Sequence, residues 1–307
     1  MKGLVLVTGA GGFVGRGLVP ALAEAGMAVR AATRRPAELP RLSGVEAVAV
    51  GDLAEPVDWA PLLAGTSAVV HLAAIAHIGD GIPAAVYDRV NHKAAADLAA
   101  ACVRADVRRH VLISSVRAQC GPAARSIVRE GDAPVPTEAY GRAKLMAEEA
   151  LRATPLDWTI LRPALVYGPG VKGNFASLER LARLPLPLPF GGFSGRRSLL
   201  GLDNLIGAIR FVLETPQTVR QTYLVADPGP LSLPEMLAAL REGAGGAPGI
   251  FAVPPSWFKV ALGAIGRGDV LERLDGSLIL DVQKLIGAGW RPQHDARDGL
   301  RRLARRA

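Results

Sequence analysis

LVLVTGAGGFVGRGLVPALAEA, from Leu4 to Ala25, decides how the rest of this chain is read. Leu4 to Val7 is a short apolar run of the kind that forms a buried strand. It breaks into TGAGGFVG, with Gly9, Gly12 and Gly15 three residues apart, and a helical stretch follows through Ala25. Glycine lets the backbone turn tightly and come close to a phosphate, and the helix N-terminus beyond it faces the anion. Strand, glycine turn and helix in that order predict the opening unit of a dinucleotide-binding sheet. A plain tight turn is the weaker reading. The start MKGLVLV has the charge and short apolar run of a signal peptide, but the run ends in glycines after a few residues, so it reads as a first strand.

The alternation continues outward. AVRAAT (28–33), VEAVAV (45–50), SAVVHLAA (67–74) and HVLISS (110–115) read as the second to fifth strands. WTILRPALVYG (158–168) begins as the sixth. Between them lie an Ala-rich helix over 83–105 and TEAYGRAKLMAEEALRA (137–153), a helix with Thr137 as its cap. Short apolar strands alternating with helices predict an α/β fold, a doubly wound parallel sheet of Rossmann type. After Gly168 the pattern loosens. PGVKGNF and PLPLPFGGFSGRR are loops around a short helix at 175–184, RSLLGL (197–202) is a strand, a helix starts at Asp203, TYLVAD (222–227) is a strand, and three or four helices end the chain. Residues 1–168 are thus expected to form the cofactor-binding domain, with 197–227 returning to it. Residues 169–307 are expected to form a smaller, mixed and mostly helical lobe that binds substrate over the carboxyl edge of the sheet.

Half of the 307 residues are apolar (50%) and 21% are charged, which suits a globular chain. No run reaches the ~18 apolar residues of a membrane span. Lys and Arg outnumber Asp and Glu by 36 to 28, a formal charge of +8. Arg301, Arg302, Arg305 and Arg306 crowd the tail and read as a solvated helix end. Aromatics are only 5%, without basic-aromatic interleaving, which argues against a nucleic-acid module. Cys102 and Cys120 fit no metal spacing and point to a reducing, cytoplasmic compartment. His71, His77, His92, His110 and His294 form no ligand cluster, so no metal is expected.

The end of the second strand selects the dinucleotide. An acid there would bind the ribose 2′-hydroxyl of NAD. This chain has Thr33, Arg34 and Arg35, and arginine binds a 2′-phosphate bidentately. NADP(H) is favoured, with NAD(H) the alternative. Asp52, in VGDLAE after the third strand, is placed to meet the adenine. The fifth strand ends in Ser114-Ser115, and the next helix carries Tyr140 and Lys144 one turn apart on one face. A free phenol, with pKa ~10, is a poor base at neutral pH. A nearby ammonium and the positive nicotinamide favour phenolate and lower that pKa. Tyr140 can then exchange a proton with a carbinol or carbonyl while hydride passes to or from the nicotinamide. Ser115 steadies the same oxygen, and Lys144 also reaches the cofactor ribose.

TGAGGFVG, GDL, HLAA, VN at Val90-Asn91, ISS, YGRAK, RPALVYGPG, RRSLLGLDNL and DVQKLIGAGWRP follow one another along nearly the whole chain. In these motifs the chain resembles the extended short-chain dehydrogenase/reductases, specifically the NAD-dependent epimerase/dehydratase group acting on nucleotide-sugars. The resemblance implies catalytic roles for Ser115, Tyr140 and Lys144. It implies cofactor contacts at Gly9, Gly12, Phe13, Val14, Gly15, Thr33, Arg34, Arg35, Asp52, Leu53, Ala73, Ala74, Asn91, Tyr140, Lys144 and Pro163. It implies that Asn174 and Arg197 hold a nucleotide diphosphate, with Arg273 a second candidate. RPALVYGPGVKGNF and RRSLLGLDNL look most like the branch that reduces or epimerises C4 of UDP-hexoses for surface polysaccharides. SSVRAQCG carries an extra residue between the serines and the glycine, which leaves Ser114 and Ser115 both open as the catalytic serine.

The resemblance also bears on the reaction. Dehydratases of the group carry an Asp-Glu pair after the catalytic Ser or Thr, whereas this chain has Val116-Arg117, so water loss is disfavoured. The two arginines favour a 4-keto-sugar reductase that exchanges NADPH at each turnover, with a UDP-hexose 4-epimerase that recycles NAD as the runner-up. Two other readings stand beside these. One is a non-catalytic NADPH-binding assembly or regulatory subunit, opposed by the intact Ser115, Tyr140 and Lys144. The other is a steroid or flavonoid carbonyl substrate, opposed by Asn174 and Arg197. The expected partner is a nucleotide-diphosphate sugar, with no nucleic acid and no membrane span; a homodimer is compatible with the resemblance.

Overall fold

A computed structural model describes residues 3–75, 81–171, 173–258 and 275–306 of the chain. Its main sheet contains β1 (Leu4–Thr8), β2 (Ala28–Thr33), β3 (Val45–Ala49), β4 (Thr66–His71), β5 (Arg109–Ile113), β6 (Asp157–Pro163) and β10 (Gln221–Val225). The strand order is β10-β6-β5-β4-β1-β2-β3, with every neighbouring pair parallel. The central strands β1, β4 and β5 are buried on both faces, and so read as continuous apolar runs rather than alternating ones. On one face, α1 (Phe13–Glu24) and α7 (Leu202–Glu214) bury Leu18, Leu22, Leu205 and Ile209 against the sheet. On the other, α2 (Ala60–Leu63), α4 (Ala94–Arg104) and α5 (Ala139–Arg152) bury Leu62, Leu98, Ala147 and Leu151.

Several boundaries differ from the sequence reading, each for a local reason. The expected helix over 83–105 is broken: α3 (Ala84–Tyr87) passes into a π-helical turn, Asp88–Lys93, before α4. Within that turn Asn91 is buried, and its amide clamps both the N–H (2.7 Å) and the C=O (2.9 Å) of Ile75. WTILRPALVYG is two strands, because Pro163 has no N–H to extend a ladder. After it β7 (Leu165–Tyr167) turns away to pair with β9 (Leu199–Gly201). RSLLGL is likewise not one strand of the main sheet. Ser198, whose N–H donates to Leu278 O, separates β9 from β8 (Arg196–Arg197), which pairs with β11 (Leu231–Ser232). The cap position of α5 is Glu138 rather than Thr137, and no side chain caps the helix.

A third core holds the remaining helices together. Phe175 of α6 (Asn174–Ala182), Leu237 and Leu240 of α8 (Leu233–Gly243), and Leu300 and Leu303 of α10 (Ala296–Arg306) pack around Tyr167. A short α9 (Gln283–Gly287) lies against β10. Ser232 and Glu235 form a capping box at the start of α8. Two of the tail arginines are paired rather than merely solvated: Arg301 binds Glu242 of α8 at 2.6 Å and Arg302 binds Asp298 at 2.7 Å. Among the described residues no helix is long and apolar enough to cross a membrane, and no group of His, Cys, Asp and Glu could hold a metal. His77 lies outside the described residues.

Helix α5 is pinned by a buried carboxylate. Glu148 accepts from Arg162 of β6 through Nε (2.9 Å) and Nη2 (2.6 Å), from the Ser114 hydroxyl (2.5 Å) and from Arg152 (2.8 Å). Glu148 and Arg162 are 0% and 2% exposed, so neither charge has water to fall back on. Removing one partner strands the other, whereas an exposed pair costs little to break. Glu148→Gln is therefore expected to lower unfolding free energy by about 3–5 kcal/mol in urea titrations, against less than about 1 kcal/mol for Arg302→Ala at the exposed pair with Asp298.

Candidate active site

Parallel strands bring all their carboxyl ends to one edge, and the residues singled out in the first half of the sequence meet there. The glycine turn comes first. Gly9 has φ +72°, and a Cβ on it would lie 2.8 Å from Ala73 N, so the turn after β1 presses on the loop after β4. A Cβ on Gly15 would lie 2.4 Å from Gly9 O and 2.6 Å from Ala10 Cα. Only glycine lets α1 start this close to the turn. Gly12 caps α1 without a side-chain bond, and Phe13 and Val14 form its half-buried first turn. Its leading N–H groups can face an anion. This cradle, which any Cβ would fill, fits a dinucleotide pyrophosphate. Beneath it Thr8 Oγ1 meets His71 Nδ1 at 2.7 Å, a contact with no sequence signal beyond HLAA itself.

Thr33 is buried beside the turn, with its hydroxyl 2.6 Å from where a Gly11 Cβ would be. Arg34 is exposed. Arg35 donates to Glu38 at 2.9 Å, and Arg16 lies 3.8 Å from the same carboxylate. Glu38 was missed because it falls five residues beyond the strand end. Asp52 is exposed and takes the Ala54 N–H at 3.0 Å; Leu53 is buried beneath it. Ala73 and Ala74 follow β4, and Pro163 is buried at the end of β6. Asn91 spends its amide on Ile75, so it shapes the loop after β4.

The two serines after β5 part company. Ser114 turns to Glu148, whereas Ser115 hydrogen-bonds the Tyr140 phenol and accepts the Arg117 N–H at 3.1 Å. Lys144 is buried and donates to Ile113 O at 2.7 Å. Burial pulls its amine down to about 8, with Glu148 acting in the opposite sense. The Tyr140 phenol is pushed above its ordinary range, first by burial and also by Tyr87 and Glu138, while Ser115 and Arg117 pull it down. The expected lowering by Lys144 is not among the influences on the phenol, and its net shift is upward because burial outweighs the pull of Ser115 and Arg117. The Tyr87 and Tyr140 rings stand edge to face with centroids 6.0 Å apart. A phenol, a hydroxyl and an amine thus lie at one strand end, a set able to exchange a proton with a single oxygen.

The residues singled out for a diphosphate lie further along the chain. Arg197, on β8, is half-buried and reaches across to Pro122 O at 3.0 Å. Asn174 opens α6 behind Gly173 (φ +72°). Arg273 lies outside the described residues.

Residues 5–226 match the NAD dependent epimerase/dehydratase family. The chain belongs to that family. It is an enzyme of the extended short-chain dehydrogenase/reductase type, as its motif order implies. It is 32% identical to a UDP-glucose 4-epimerase of Vibrio cholerae over 311 residues, 98% of this chain and 94% of that one. It is 30% identical to a ceramide reductase of Caulobacter vibrioides over 218 residues, 70% and 62% of the two chains. In three dimensions it is similar to MoeE5 in complex with UDP-glucuronic acid and NAD, with TM-score 0.78, 27% identity and 99% of each chain covered.

The cradle gives a direct test of cofactor binding. Gly15→Ala drives a methyl into backbone atoms that cannot swing aside. The variant is expected to fold, by circular dichroism, at a stability cost of about 1–3 kcal/mol from overpacking, and to bind NADP(H) and NAD(H) more weakly in fluorescence titrations.

Proposed function

We propose that this enzyme reduces the C4 ketone of a nucleotide-diphosphate sugar, taking hydride from NADPH. The observation that carries the reading is the hydrogen bond between Ser115 and Tyr140 beside the buried Lys144. A phenol pushed upward by burial keeps its proton at neutral pH, which is the form needed to protonate an oxygen as it gains hydride. Tyr140 donates that proton, and Ser115 steadies the charge on the same oxygen. The turn from Gly9 to Gly15 holds the cofactor pyrophosphate, Asp52 and Leu53 border the adenine, and Lys144 holds the ribose. The cofactor supplies the hydride. Arg34, exposed at the end of β2, takes the 2′-phosphate; Arg35, shared with Glu38, contributes less.

The substrate assignment draws on the nucleotide-sugars named for MoeE5 and for the Vibrio cholerae enzyme. Residues 169–307 serve as the substrate lobe, with Arg197 and Asn174 toward the diphosphate. Remote binding of that group orients C4 for reaction. The position that carries acids in dehydratases holds buried Val116 and an Arg117 tied to Glu138, which supports reduction over water loss. A second reading, UDP-hexose 4-epimerase, is favoured by the full-length likeness to the Vibrio cholerae protein.

UDP- and dTDP-hexoses, with and without a 4-keto group, should separate these readings in assays that follow NADPH absorbance. Oxidation of NADPH by a 4-keto sugar is expected. Interconversion of UDP-hexoses without net NADPH use would establish the epimerase instead. With the productive substrate, Tyr140→Phe is expected to lower kcat by about 10²–10⁴, the usual weight of a placed acid or base, and to leave cofactor affinity within a few fold.

Arg34→Ala is expected to weaken NADP(H) binding by about 1.5–3 kcal/mol and to leave NAD(H) nearly unchanged, as titration of both cofactors would show. Equal losses for the two would remove Arg34 from the 2′-phosphate.

A further inference from the structure

Arg16 stands just after Gly15 in α1, and the sequence reading gave it no role. Its Nε donates to Gly11 O at 2.9 Å, which lays the guanidinium back against the glycine turn. The turn is itself tied to the end of β2: the Ala10 N–H donates to Ala32 O at 3.1 Å, and the Thr33 hydroxyl lies against Gly11. From that strand end the chain runs through Arg34 and Arg35 into a short 3₁₀ turn, Pro36–Glu38. There the Glu38 N–H donates back to Arg35 O at 3.1 Å. The Glu38 carboxylate thereby reaches Arg35 Nη1 at 2.9 Å, and its other oxygen lies 3.8 Å from Arg16 Nη2. Two guanidiniums from different elements share one carboxylate beside the place where the adenosine ribose of a dinucleotide lies.

The charges around that place do not balance. Arg34 is exposed and pairs with no carboxylate among the described residues. Asp52, after the next strand, takes the Ala54 N–H and forms no ion pair with these arginines among the described residues. Arg16, Arg34 and Arg35 thus set three positive charges against the one negative charge of Glu38, a surplus of two. A phosphomonoester carries about −1.5 to −2 at neutral pH and matches that surplus, whereas the 2′-hydroxyl of NAD is neutral. The Arg16, Arg35 and Glu38 side chains are 57%, 77% and 51% exposed, so their ion pairs are weak and an incoming anion can displace them.

We propose that Arg16 joins Arg34 in holding the 2′-phosphate of the cofactor, and that Glu38 limits selectivity for NADP(H) over NAD(H) by competing with that phosphate for Arg16 and Arg35. This rests on the reading of NADPH as the cofactor and adds to it two residues outside the strand end. Carboxylate and phosphate seek the same N–H groups and repel each other, so the acid opposes the phosphate twice. A 2′-hydroxyl meets neither penalty, so Glu38 acts on one cofactor and not on the other.

Calorimetric titration of NADP⁺ and NAD⁺ tests this without a substrate. Arg16→Gln removes the charge and keeps an amide donor beside the glycine turn. It should weaken NADP⁺ binding by roughly tenfold, the lower end for a hydrogen bond to a charged group, and leave NAD⁺ nearly unchanged. Glu38→Gln should tighten NADP⁺ binding by about two- to fivefold, the reach of an exposed charge, again with NAD⁺ nearly unchanged. In the double variant the gain from Glu38→Gln should shrink, because one of the guanidiniums it frees is gone. If Glu38→Gln weakens NADP⁺ binding or leaves it as it was, the carboxylate presents the arginines rather than competing for them. If Arg16→Gln weakens NADP⁺ and NAD⁺ alike, Arg16 serves only the glycine turn. Either result overturns the proposal, and retained NAD⁺ binding shows that each variant is folded. A wild type that prefers NAD⁺ would overturn the NADPH reading, while the signs of these two changes would still decide the roles of Arg16 and Glu38.

Discussion

A carboxylate without access to water governs the geometry of this enzyme. Glu148 lies one turn beyond Lys144 and two beyond Tyr140 on α5, and is enclosed by Arg162, Ser114 and Arg152. Burying such a charge is tolerable only where its lone pairs are filled at good geometry. Arg162 fills two of them from β6, and its remaining arm reaches Gln119, in the loop after β5. The Ser114 hydroxyl supplies another at the end of β5. The rotation of α5 about its axis is thereby fixed against two strands. Tyr140 and Lys144 share that face by spacing alone, so fixing Glu148 fixes where phenol and ammonium point. Turning Ser114 inward to Glu148 also leaves Ser115 directed toward Tyr140.

A second buried carboxylate attaches the carboxyl-terminal helices to the same edge. Asp227 follows β10 and accepts from Tyr167 (2.7 Å), the Gly201 N–H (2.9 Å) and Asn204 (2.7 Å). Asn204 in turn holds His294 O and the Gln293 N–H, in the segment that leads into α10. Burial pushes the Asp227 carboxyl upward, and its hydrogen bonds pull it back. A Cβ on Gly299 would lie against the Tyr167 hydroxyl, so α10 can dock there only with glycine at that position. Polar hubs of this kind tolerate few alternative arrangements, since each misplaced partner leaves a buried group unsatisfied. The sheet edge and the helical lobe are thus locked at defined points, with the glycine turn and Tyr140 on the sheet side.

What the sequence revealed follows from which forces are local. Strand runs, the glycine spacing and the helix carrying Tyr140 and Lys144 are set by residues close in the chain, and β2 appears over the same residues, Ala28–Thr33, that AVRAAT predicts. Interruptions were harder to see. The π-helical turn is tied to Asn91 reaching Ile75, and the break at Ser198 to a bond with Leu278, 80 residues away. Charges were the least legible. MAEEAL gives no sign that Glu148 is the buried acid while Glu149 is exposed, and the Arg35–Glu38 pair dilutes what two adjacent arginines suggested. The Tyr140 phenol shifts upward rather than downward because desolvation depends on the whole fold. Spacing can place a phenol beside an ammonium, but it carries no information on how much water surrounds them.

That upward shift bears on how this family's common machinery can be specialised. Proton transfer is most effective when the donor's pKa lies near the working pH, so a phenol held too high would be a weak acid as well as a poor base. Two groups in the protein counter the burial of Tyr140: the Ser115 hydroxyl, which bonds it, and Arg117. An oxidised nicotinamide, if bound beside the phenol, would supply a positive charge pulling in the same direction. On the proposed reduction, the phenol would thus be harder to ionise with the reduced cofactor bound than with the oxidised one. In reduction the proton is needed when the substrate oxygen is gaining charge. On the proposed reduction, burial would keep the proton on Tyr140 until the substrate oxygen gains charge.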